Sequence, residues 1–312
     1  MTASPSSINR PAVLGVSLWV GLLIGISRWV GLQSYQWFPV QASTAAPLVD
    51  GLFSFETAIG TFVFLAVASV MGWVILRHRA EKYDASDAEP IEGNTKLEII
   101  WTAIPFVLVM AIAVYAMKVN TRLGVLGPME HIHLADAREQ QGGYPGDRLP
   151  TETIEVVARQ WSWEFRYPEA GVSSTELHLP VDQPLTFRLV SEDVLHGFYI
   201  PAFRLKQDVI PGRAINFNLT PTRIGRYRLR DSQFSGTWFA ANQADVVVDS
   251  QEDYQAWLSQ AAALPLQAGI SDAVTEYQKR LQQTPTPGWA TVKPAPPPQV
   301  NVPGSNALPH DA

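Results

Sequence analysis

The chain has 312 residues, a net charge of −6 and no cysteine, so its length allows a membrane portion and one globular domain. The absence of cysteine excludes a disulfide, a thiolate nucleophile and a thiolate metal site. The acidic balance, without a long basic run, argues against a nucleic acid as partner.

Three apolar stretches in the first third of the chain predict membrane-associated helices. The first, residues 12–27, follows Arg10 and is short. It suits either the apolar region of a signal peptide, with small residues at 42–46 as the cleavage region, or a first transmembrane helix. Residues 52–76 and 97–117 are each long enough, at about 1.5 Å per residue, to cross a hydrocarbon core of about 30 Å. The short loop between them predicts an antiparallel hairpin.

Basic residues at the ends of these stretches predict their orientation. Arg10 places the N-terminus in the cytoplasm, and the cluster Arg77-His78-Arg79 with Lys82 places the end of the second stretch there too. The third stretch then leads outward, so the rest of the chain lies outside. Asn94 or Thr95 is expected to cap the start of this last helix.

The outer half has the pattern of an all-β domain followed by short helices. Short, β-rich segments recur with turn residues between them, which is typical of a sandwich or barrel. These segments are 153–158, 162–167, 176–179, 185–190, 214–219, 225–229 and 244–248. The predicted organisation is a signal peptide or first helix (1–46), a transmembrane hairpin (47–117), a connecting loop (118–150), the β domain (151–250), two short helices (251–283) and a disordered proline-rich tail (284–312).

Three sequence blocks, taken in order, resemble subunit II of haem–copper terminal oxidases. The blocks are Glu92-Gly93-Asn94 with Leu97 to Pro105, Arg159-Gln160-Trp161-Ser162-Trp163-Glu164-Phe165, and the stretch from Ser191 to Val248. Together they lie within residues 45–260. The resemblance implies a membrane hairpin and a cupredoxin-like Greek-key β-barrel in a bacterial cell membrane or an internal respiratory membrane. The β domain is then periplasmic or luminal.

The resemblance is broken at the metal site. Relatives that oxidise cytochrome c hold a binuclear copper centre with two cysteines, two histidines, a methionine and a glutamate carbonyl. Of these, only the first histidine is retained here, as His196. The remaining positions are occupied by Asp231 and Ser235 for the cysteines, Gln233 for the glutamate, Phe239 for the second histidine and Asn242 for the methionine. Soft thiolates make such a centre possible, so we expect no metal and no redox cofactor in this chain. His196 is expected to be a hydrogen-bonding histidine, with Asp231 as a candidate partner.

By resemblance, the chain is subunit II of an oxidase that reduces oxygen to water with proton translocation, and its partners are subunits I and III and the lipid membrane. The haem groups and the active-site copper then lie in subunit I. A retained fold without the copper ligands resembles two branches of the family, the quinol oxidases and the alternative respiratory terminal oxidase of cyanobacteria. Residues 94–105 and 46–52 look more like the second branch. The missing ligands favour quinol as the electron donor. Two alternatives remain open: a subunit that docks a soluble cytochrome, and a membrane-anchored binding module without an oxidase partner.

Four further residues have roles implied by the resemblance. Glu98 matches a carboxylate at the entrance of a proton pathway, although an acid at a helix start also favours the positive end of the helix dipole. Trp161 matches the aromatic residue at the donor-docking face, with a core tryptophan as the alternative. Asp208 and Arg213 match a turn at the subunit I surface. The relatives bind a magnesium or manganese ion nearby, partly through the glutamate that is replaced here by Gln233. Because an amide is a poorer ligand for such a cation than a carboxylate, the presence of the ion in this protein is left open.

Overall fold

A computed structural model of the protein describes residues 10–79, 93–123, 152–269, 271–283 and 292–304. These residues form two compact units, one helical and one rich in β-structure. The segment 39–48, which connects the first two long helices, belongs to the β-rich unit.

The helical unit contains helices with the length and composition to cross a membrane. They are α1 (Arg10–Gln33), followed by a 3₁₀ turn (Ser34–Trp37), α2 (Ala46–Arg77) and α3 (Thr95–Leu123). The apolar run 12–27 lies within α1, and the predicted spans 52–76 and 97–117 lie within α2 and α3. Most of their large apolar side chains are exposed, as expected of helices that face lipid or another membrane subunit.

A close contact joins α1 to α2. A Cβ atom at Gly31 would lie 2.8 Å from the backbone oxygen of Ser54 and 2.9 Å from Cβ of Ala58. The Ser54 hydroxyl donates a hydrogen bond of 2.6 Å to the Gly31 carbonyl. Next to it, the rings of Phe38 and Phe53 meet edge-on with centroids 4.8 Å apart. Glycine is therefore needed at position 31 because two helix backbones approach each other there.

The start of α3 agrees with the capping prediction. The Asn94 side-chain oxygen accepts hydrogen bonds from the backbone N–H groups of Lys96 and Leu97, at 3.1 and 3.3 Å. The helix continues through Pro105 to its end. Phe55 of α2 packs edge-on against Tyr115 of α3 with ring centroids 4.9 Å apart, as an antiparallel hairpin requires.

The β-rich unit is a sandwich of two five-stranded sheets with strand orders β3-β2-β1-β5-β8 and β4-β10-β9-β6-β7. The strands are β1 (Glu152–Arg159), β2 (Ser162–Tyr167), β3 (Val172–Ser174), β4 (Leu177–Pro180), β5 (Leu185–Ser191), β6 (His196–Ile200), β7 (Leu205–Val209), β8 (Ile215–Leu219), β9 (Gly225–Asp231) and β10 (Gln243–Asp249). β1 pairs in parallel with β5, and β4 in parallel with β10. Each of these pairs lies within one sheet, so the chain crosses between the sheets before the second strand of the pair, in the Greek-key manner of a cupredoxin-like domain.

Aromatic side chains fill the space between the sheets. Phe187 and Phe217 stack with centroids 4.9 Å apart, and Phe198 packs against both. Along β5, buried residues alternate with more exposed ones, because successive side chains of a strand point to opposite faces. Trp163 and Phe165 of β2 are fully buried in the same core. The sequence-based expectation of a membrane helical part and an all-β, cupredoxin-like domain is confirmed.

The segment 39–48 is bonded to the edge of the β-rich unit. The Ala42 N–H donates to the Ala202 carbonyl at 3.0 Å, and the Thr222 N–H donates to the Ala42 carbonyl at 2.9 Å. The Ser43 hydroxyl donates to the Phe203 carbonyl at 2.8 Å. Ala42, Ser43 and Ala46 are buried. The small residues considered as a cleavage region are thus structural parts of this unit.

Strand prediction succeeded where side chains alternate and missed the strands next to the site. All seven predicted segments lie on strands, with boundaries shifted by one or two residues. β6 and β7 were missed because glycine and charged residues interrupt their apolar pattern. β3 was missed because three residues are too short for periodicity. The predicted connecting loop 118–150 begins as the last turns of α3, to Leu123, and the rest of it lies outside the described residues.

Two helices follow the sandwich, as predicted. α4 (Gln251–Ala262) packs Tyr254 and Leu258 into the main core, and Ser250 caps its start by accepting from the Asp253 N–H at 3.1 Å. α5 (Asp272–Gln283) lies elsewhere on the domain and buries Ala273 and Val274.

The prediction of a disordered tail at 284–312 is wrong for residues 292–304. β12 (Gln299–Val300) pairs with β11 (Gln267–Ala268), and Val300 is fully buried. The Asn301 side chain accepts from the Ser173 N–H at 2.9 Å and donates to the Leu264 carbonyl at 2.8 Å. A proline-rich composition predicts disorder, but an extended segment at a sheet edge needs only a few backbone hydrogen bonds to be held in place. The remaining parts of the predicted tail lie outside the described residues.

Candidate functional site

A buried polar cluster is formed by four of the six positions that the resemblance assigns to copper ligands. His196 begins β6, Asp231 ends β9, Ser235 lies in the following loop, and Asn242 precedes β10. The sandwich fold brings these strand ends together because β6 pairs with β9, and β9 with β10. The four residues are 0–7% exposed. The structure therefore unites four of the six positions singled out from the sequence.

The Asp231 carboxylate is the centre of this cluster. Its Oδ2 lies 2.7 Å from His196 Nδ1 and accepts from the Ser235 hydroxyl at 2.7 Å and from the Asn242 amide at 3.0 Å. Its Oδ1 accepts from the backbone N–H groups of Gly197 at 2.7 Å and Gln233 at 3.1 Å. A carboxylate offers about four lone-pair sites, so these five contacts saturate it. The pairing of His196 with Asp231 agrees with the sequence-based expectation.

A second carboxylate, Asp193, holds the other side of the His196 ring. Asp193 Oδ1 lies 2.9 Å from His196 Nε2, and Asp193 Oδ2 accepts from the Gln160 N–H at 2.7 Å. Sequence reasoning missed Asp193, although it lies only three residues before the histidine in a tight turn. Because both ring nitrogens face carboxylate oxygens, both must donate, and the ring is then the doubly protonated imidazolium.

The electrostatics agree with a charged ring between two charged partners. Burial alone would lower the pKa of His196, and the hydrogen bonds and charges of Asp193 and Asp231 outweigh it and raise that pKa above its ordinary value. Burial alone would raise the pKa of each carboxyl, and the hydrogen bonds to His196 and to backbone N–H groups lower it below its ordinary value. All three shifts favour the charged forms, an imidazolium between two carboxylates, and the three residues are called the His196 triad below.

The donor set does not fit a binuclear copper centre. The cluster offers one imidazole and several oxygen atoms, and the chain has no cysteine to bridge two copper ions. The two carboxylates contact opposite sides of the His196 ring, so their oxygens and the ring nitrogens do not converge on one point. Within the described residues, no group of three or more His, Cys, Asp or Glu side chains is arranged to hold a metal ion.

Two of the six positions point away from the cluster. The Gln233 side-chain amide donates to Asp208 Oδ1 at 2.8 Å, so only its backbone N–H joins the Asp231 site. Phe239 packs against Phe234, with ring centroids 5.4 Å apart. Phe234 is 75% exposed, which gives this loop an apolar surface.

The turn with Asp208 and Arg213 has the expected shape. Gly212 has φ +74°, and the Arg213 N–H donates to the Ile210 carbonyl at 3.2 Å. Asp208 on β7 is half-buried under the Gln233 amide, whereas Arg213 is exposed. Their predicted role at the subunit I surface stays a prediction.

Trp161 lies beside the cluster and is buried. It is 3% exposed, and its indole N–H donates to the Ser235 carbonyl at 3.0 Å. A Cβ atom at Gly236 would lie 3.0 Å from the indole ring and 2.7 Å from the Gln160 amide, and Gly236 has φ +107°. Both the contact and the backbone angle require glycine there, so this turn and Trp161 are fitted to each other.

A buried ion-pair network adjoins the site and was not predicted. The Arg159 guanidinium, only 5% exposed, pairs with Glu164 at 2.6 Å and makes two hydrogen bonds to Glu192, at 2.7 and 2.8 Å. Arg166 pairs with the opposite oxygen of Glu164 at 2.7 Å. The Asn242 amide reaches the Arg159 carbonyl at 3.4 Å, so the network and the His196 cluster touch. Charged residues alternate along a strand both in a buried ion-pair network and on a solvent-exposed face. The sequence alone therefore does not distinguish the two.

Glu98 lies in the first turn of α3 and is exposed. Its backbone N–H donates to the Asn94 carbonyl at 3.0 Å, and the Thr102 hydroxyl donates to the Glu98 carbonyl at 2.8 Å. The carboxylate is thus placed at the helix N-terminus, where both roles considered for it, proton entry and favourable interaction with the helix dipole, remain compatible with its geometry.

The fold and the site define a membrane protein with a C-terminal cupredoxin-like domain. The sequence matches the family profile "Cytochrome C oxidase subunit II, transmembrane domain" over residues 27–119 and the corresponding periplasmic-domain profile over residues 172–250. Cytochrome c oxidase subunit 2 of Synechocystis sp. is 34% identical over 279 residues, which cover 81% of this chain and 84% of that protein. The chain therefore belongs to the cytochrome c oxidase subunit II family, and its C-terminal domain is periplasmic.

Two other similarities cover less of the chain. Quinol oxidase subunit 2 of Bacillus subtilis is 28% identical over 206 residues, which cover 64% of this chain and 59% of that protein. The crystal structure of the periplasmic domain of subunit II of the Bradyrhizobium japonicum cytochrome oxidase has 22% identity and a TM-score of 0.35. It covers 36% of this chain and 94% of that structure. The family thus includes both cytochrome c and quinol oxidase subunits by name.

Proposed function

We propose that this chain is the subunit II of a terminal oxidase that reduces oxygen to water, that it holds no copper centre, and that the complex takes its electrons from quinol. The haem groups and the active-site copper then belong to subunit I. The β domain covers subunit I from outside, and electrons pass from quinol to the haem without crossing that domain.

The observation that supports this proposal is the saturated Asp231 carboxylate. By the resemblance, Asp231 takes the position of a bridging cysteine. Its carboxylate is hydrogen-bonded to His196, Ser235 and Asn242, which stand at three other ligand positions. A site of this kind stabilises the fold without an ion. On this proposal, the periplasmic domain holds no redox centre that accepts an electron.

The burial of Trp161 disfavours the alternative of a soluble cytochrome as donor. In a subunit that receives electrons from a docked protein, the entry aromatic must reach the surface, and here it is 3% exposed. Family membership disfavours the second alternative, a binding module without an oxidase partner, because the match includes the transmembrane part with the Glu98 block.

Oxygen consumption by the purified intact complex tests the proposal. We expect fast turnover with a quinol, little turnover with a reduced c-type cytochrome, and no binuclear copper signal in the electron paramagnetic resonance spectrum. Turnover with the cytochrome alone, or a stoichiometric binuclear copper signal from this chain, would contradict the proposal. Replacing His196 by Gln is a useful control, because a change in the copper content of the complex would also place a metal at this site.

A further inference from the structure

A small aromatic cluster covers Trp161, and part of it comes from the C-terminal helix. The Trp161 ring meets Trp238 and Tyr277 edge-on, with centroids 4.9 and 5.4 Å away. Trp238 and Tyr277 also contact each other, with centroids 5.9 Å apart. Arg280 lies over the Trp238 ring at 5.2 Å. Tyr277 and Arg280 both belong to α5, so this helix supplies the outer layer of the cluster.

The sequence of α5 is suited to such docking. Ala273, Val274 and Tyr277 recur on one helix face, and the first two are 6% and 5% exposed. On the opposite face, Lys279 is exposed. Ser271 caps the helix by accepting from the Val274 N–H at 3.1 Å. The helix therefore has one apolar face that is buried against the Trp161 surface and one polar face that is not.

α5 is not a component of the main core. α4 adds its apolar side chains to the large core between the sheets, whereas Ala273 and Val274 form a separate small cluster with Trp161. A cavity of about 90 Å³, lined in part by Trp161, Ser271 and Ala273, lies beneath the first turn of α5. The helix is therefore held by this small cluster and not by the main core of the sandwich.

The chain beyond α5 also contacts the site. The Ala295 N–H donates to Asp193 Oδ2 at 3.4 Å, on the carboxylate that holds the His196 ring. The segment then pairs through β12 with β11 and reaches Thr175, whose hydroxyl accepts from the Gly304 N–H at 2.6 Å. The C-terminal region thus contacts the His196 cluster at Asp193 and the sandwich edge at Thr175.

We infer that α5 is the resident occupant of the surface over Trp161 and closes it to a soluble electron-donor protein. Tyr277 is the residue that anchors the helix, through its contacts with Trp161 and Trp238. The surface through which a docked cytochrome would deliver electrons is then an intramolecular interface.

Thiol labelling of the intact complex, read from the mass of this chain alone, tests this inference, because the chain has no cysteine of its own. We compare Val274→Cys, on the buried face, with Lys279→Cys, on the exposed face of the same helix. A bulky maleimide should modify the buried thiol at least about tenfold more slowly, because it reacts only when the helix opens. A rate ratio near one, whether both thiols react fast or both react slowly, would overturn the inference.

A second variant tests the anchor. Adding Tyr277→Asp to Val274→Cys should raise the labelling rate to about that of Lys279→Cys, because the change removes the ring that contacts both Trp161 and Trp238. Labelling that stays slow would overturn the assignment of Tyr277.

Trp161→Phe should leave turnover unchanged with either donor. Loss of cytochrome-supported turnover in that variant would overturn closure of the surface. Labelling does not depend on the donor, so it remains decisive even if the quinol proposal fails.

Discussion

His196 Nδ1 lies 2.7 Å from Asp231 Oδ2, inside the buried cluster formed by four of the six positions that the sequence resemblance singles out. Here a proton shared by an imidazolium and a carboxylate links the start of β6 to the end of β9. Both side chains are shielded from water, and Asp193 completes the charge balance from the other side of the ring. The link is therefore an internal ion pair in which both nitrogens of the His196 ring face a carboxylate oxygen.

Replacing Asp231 by Asn should destabilise the periplasmic domain strongly. The change leaves an imidazolium with one charged partner in place of two, and it turns an acceptor of several hydrogen bonds into a group that is half donor. Breaking a buried pair of this kind typically costs about 3–5 kcal/mol, and the remaining Asp193 places the expected loss at the lower end. Denaturant unfolding followed by tryptophan fluorescence measures it.

The matched control is Asp182→Asn, the same chemical change at an exposed residue with φ +57°, a conformation that asparagine tolerates. It should leave the unfolding midpoint within experimental error. If Asp231→Asn behaves like this control, the His196 triad does not stabilise the domain.

The stability of the domain should depend on pH in two directions. The pKa of His196 is raised, so its contribution is fully present below its unfolded pKa of about 6.5 and is lost as the pH rises through the folded pKa. The pKa values of Asp193 and Asp231 are lowered, so their contribution is present above about pH 3.9 and is lost as the pH falls through their folded values. The triad should therefore stabilise most between about pH 4 and 6.5.

The melting temperature of the chain, compared with that of His196→Gln across this range, measures the effect. The difference between the two proteins should be largest near the middle of the window and should decrease above it. A difference that grows steadily toward alkaline pH would mean that His196 is neutral in the folded protein.

The Arg159 network makes a separate prediction. Replacing Arg159 by Lys keeps the charge but removes the planar group that bonds Glu164 and Glu192 together. An unsatisfied buried acceptor costs about 1–3 kcal/mol, so the variant should unfold at a lower denaturant concentration. Arg188→Lys, at a side chain that is 45% exposed, is the control and should cost far less. Equal effects of the two changes would argue that burial does not set the strength of the network.

The sequence predicted most of the frame because its signals are local. Apolar length predicted α2 and α3, alternation predicted most strands, and the position of Asn94 predicted a cap. Only one of the two partners of His196 was predicted. Asp231 is 35 residues away and could be named only through the resemblance. Asp193, the Arg159 network and the cover over Trp161 depend on which strand ends and helices meet. The order of residues along the chain does not reveal these contacts between distant segments.

Substitutions of Glu98 should distinguish its two candidate roles, proton entry and interaction with the helix dipole, by their effect on oxygen consumption. If it admits protons, Glu98→Gln lowers oxygen reduction about tenfold, less than the 10²–10⁴ of a general acid or base because water can partly replace an entrance group. Glu98→Asp, which keeps the titratable group, should restore much of the rate. If the carboxylate only favours the helix start, Glu98→Gln changes thermal stability slightly and leaves turnover at the wild-type rate. Steady-state oxygen consumption with saturating donor decides between them.

The contact at Gly31 predicts that α1 is retained in the mature protein as a packed helix. A side chain at this position would meet the backbone of Ser54 and the side chain of Ala58, and neither can move without shifting α2. Gly31→Val should therefore lower the stability of the helical unit by about 1–3 kcal/mol, the usual cost of overpacking. The control is Gly25→Val in the same helix, where a Cβ atom meets nothing within 4 Å. Thermal unfolding in detergent compares them, and the mass of the purified chain should include residues before Ala42. A mature chain that begins between Ala42 and Ala46, or equal effects of the two valines, would make α1 a removable leader.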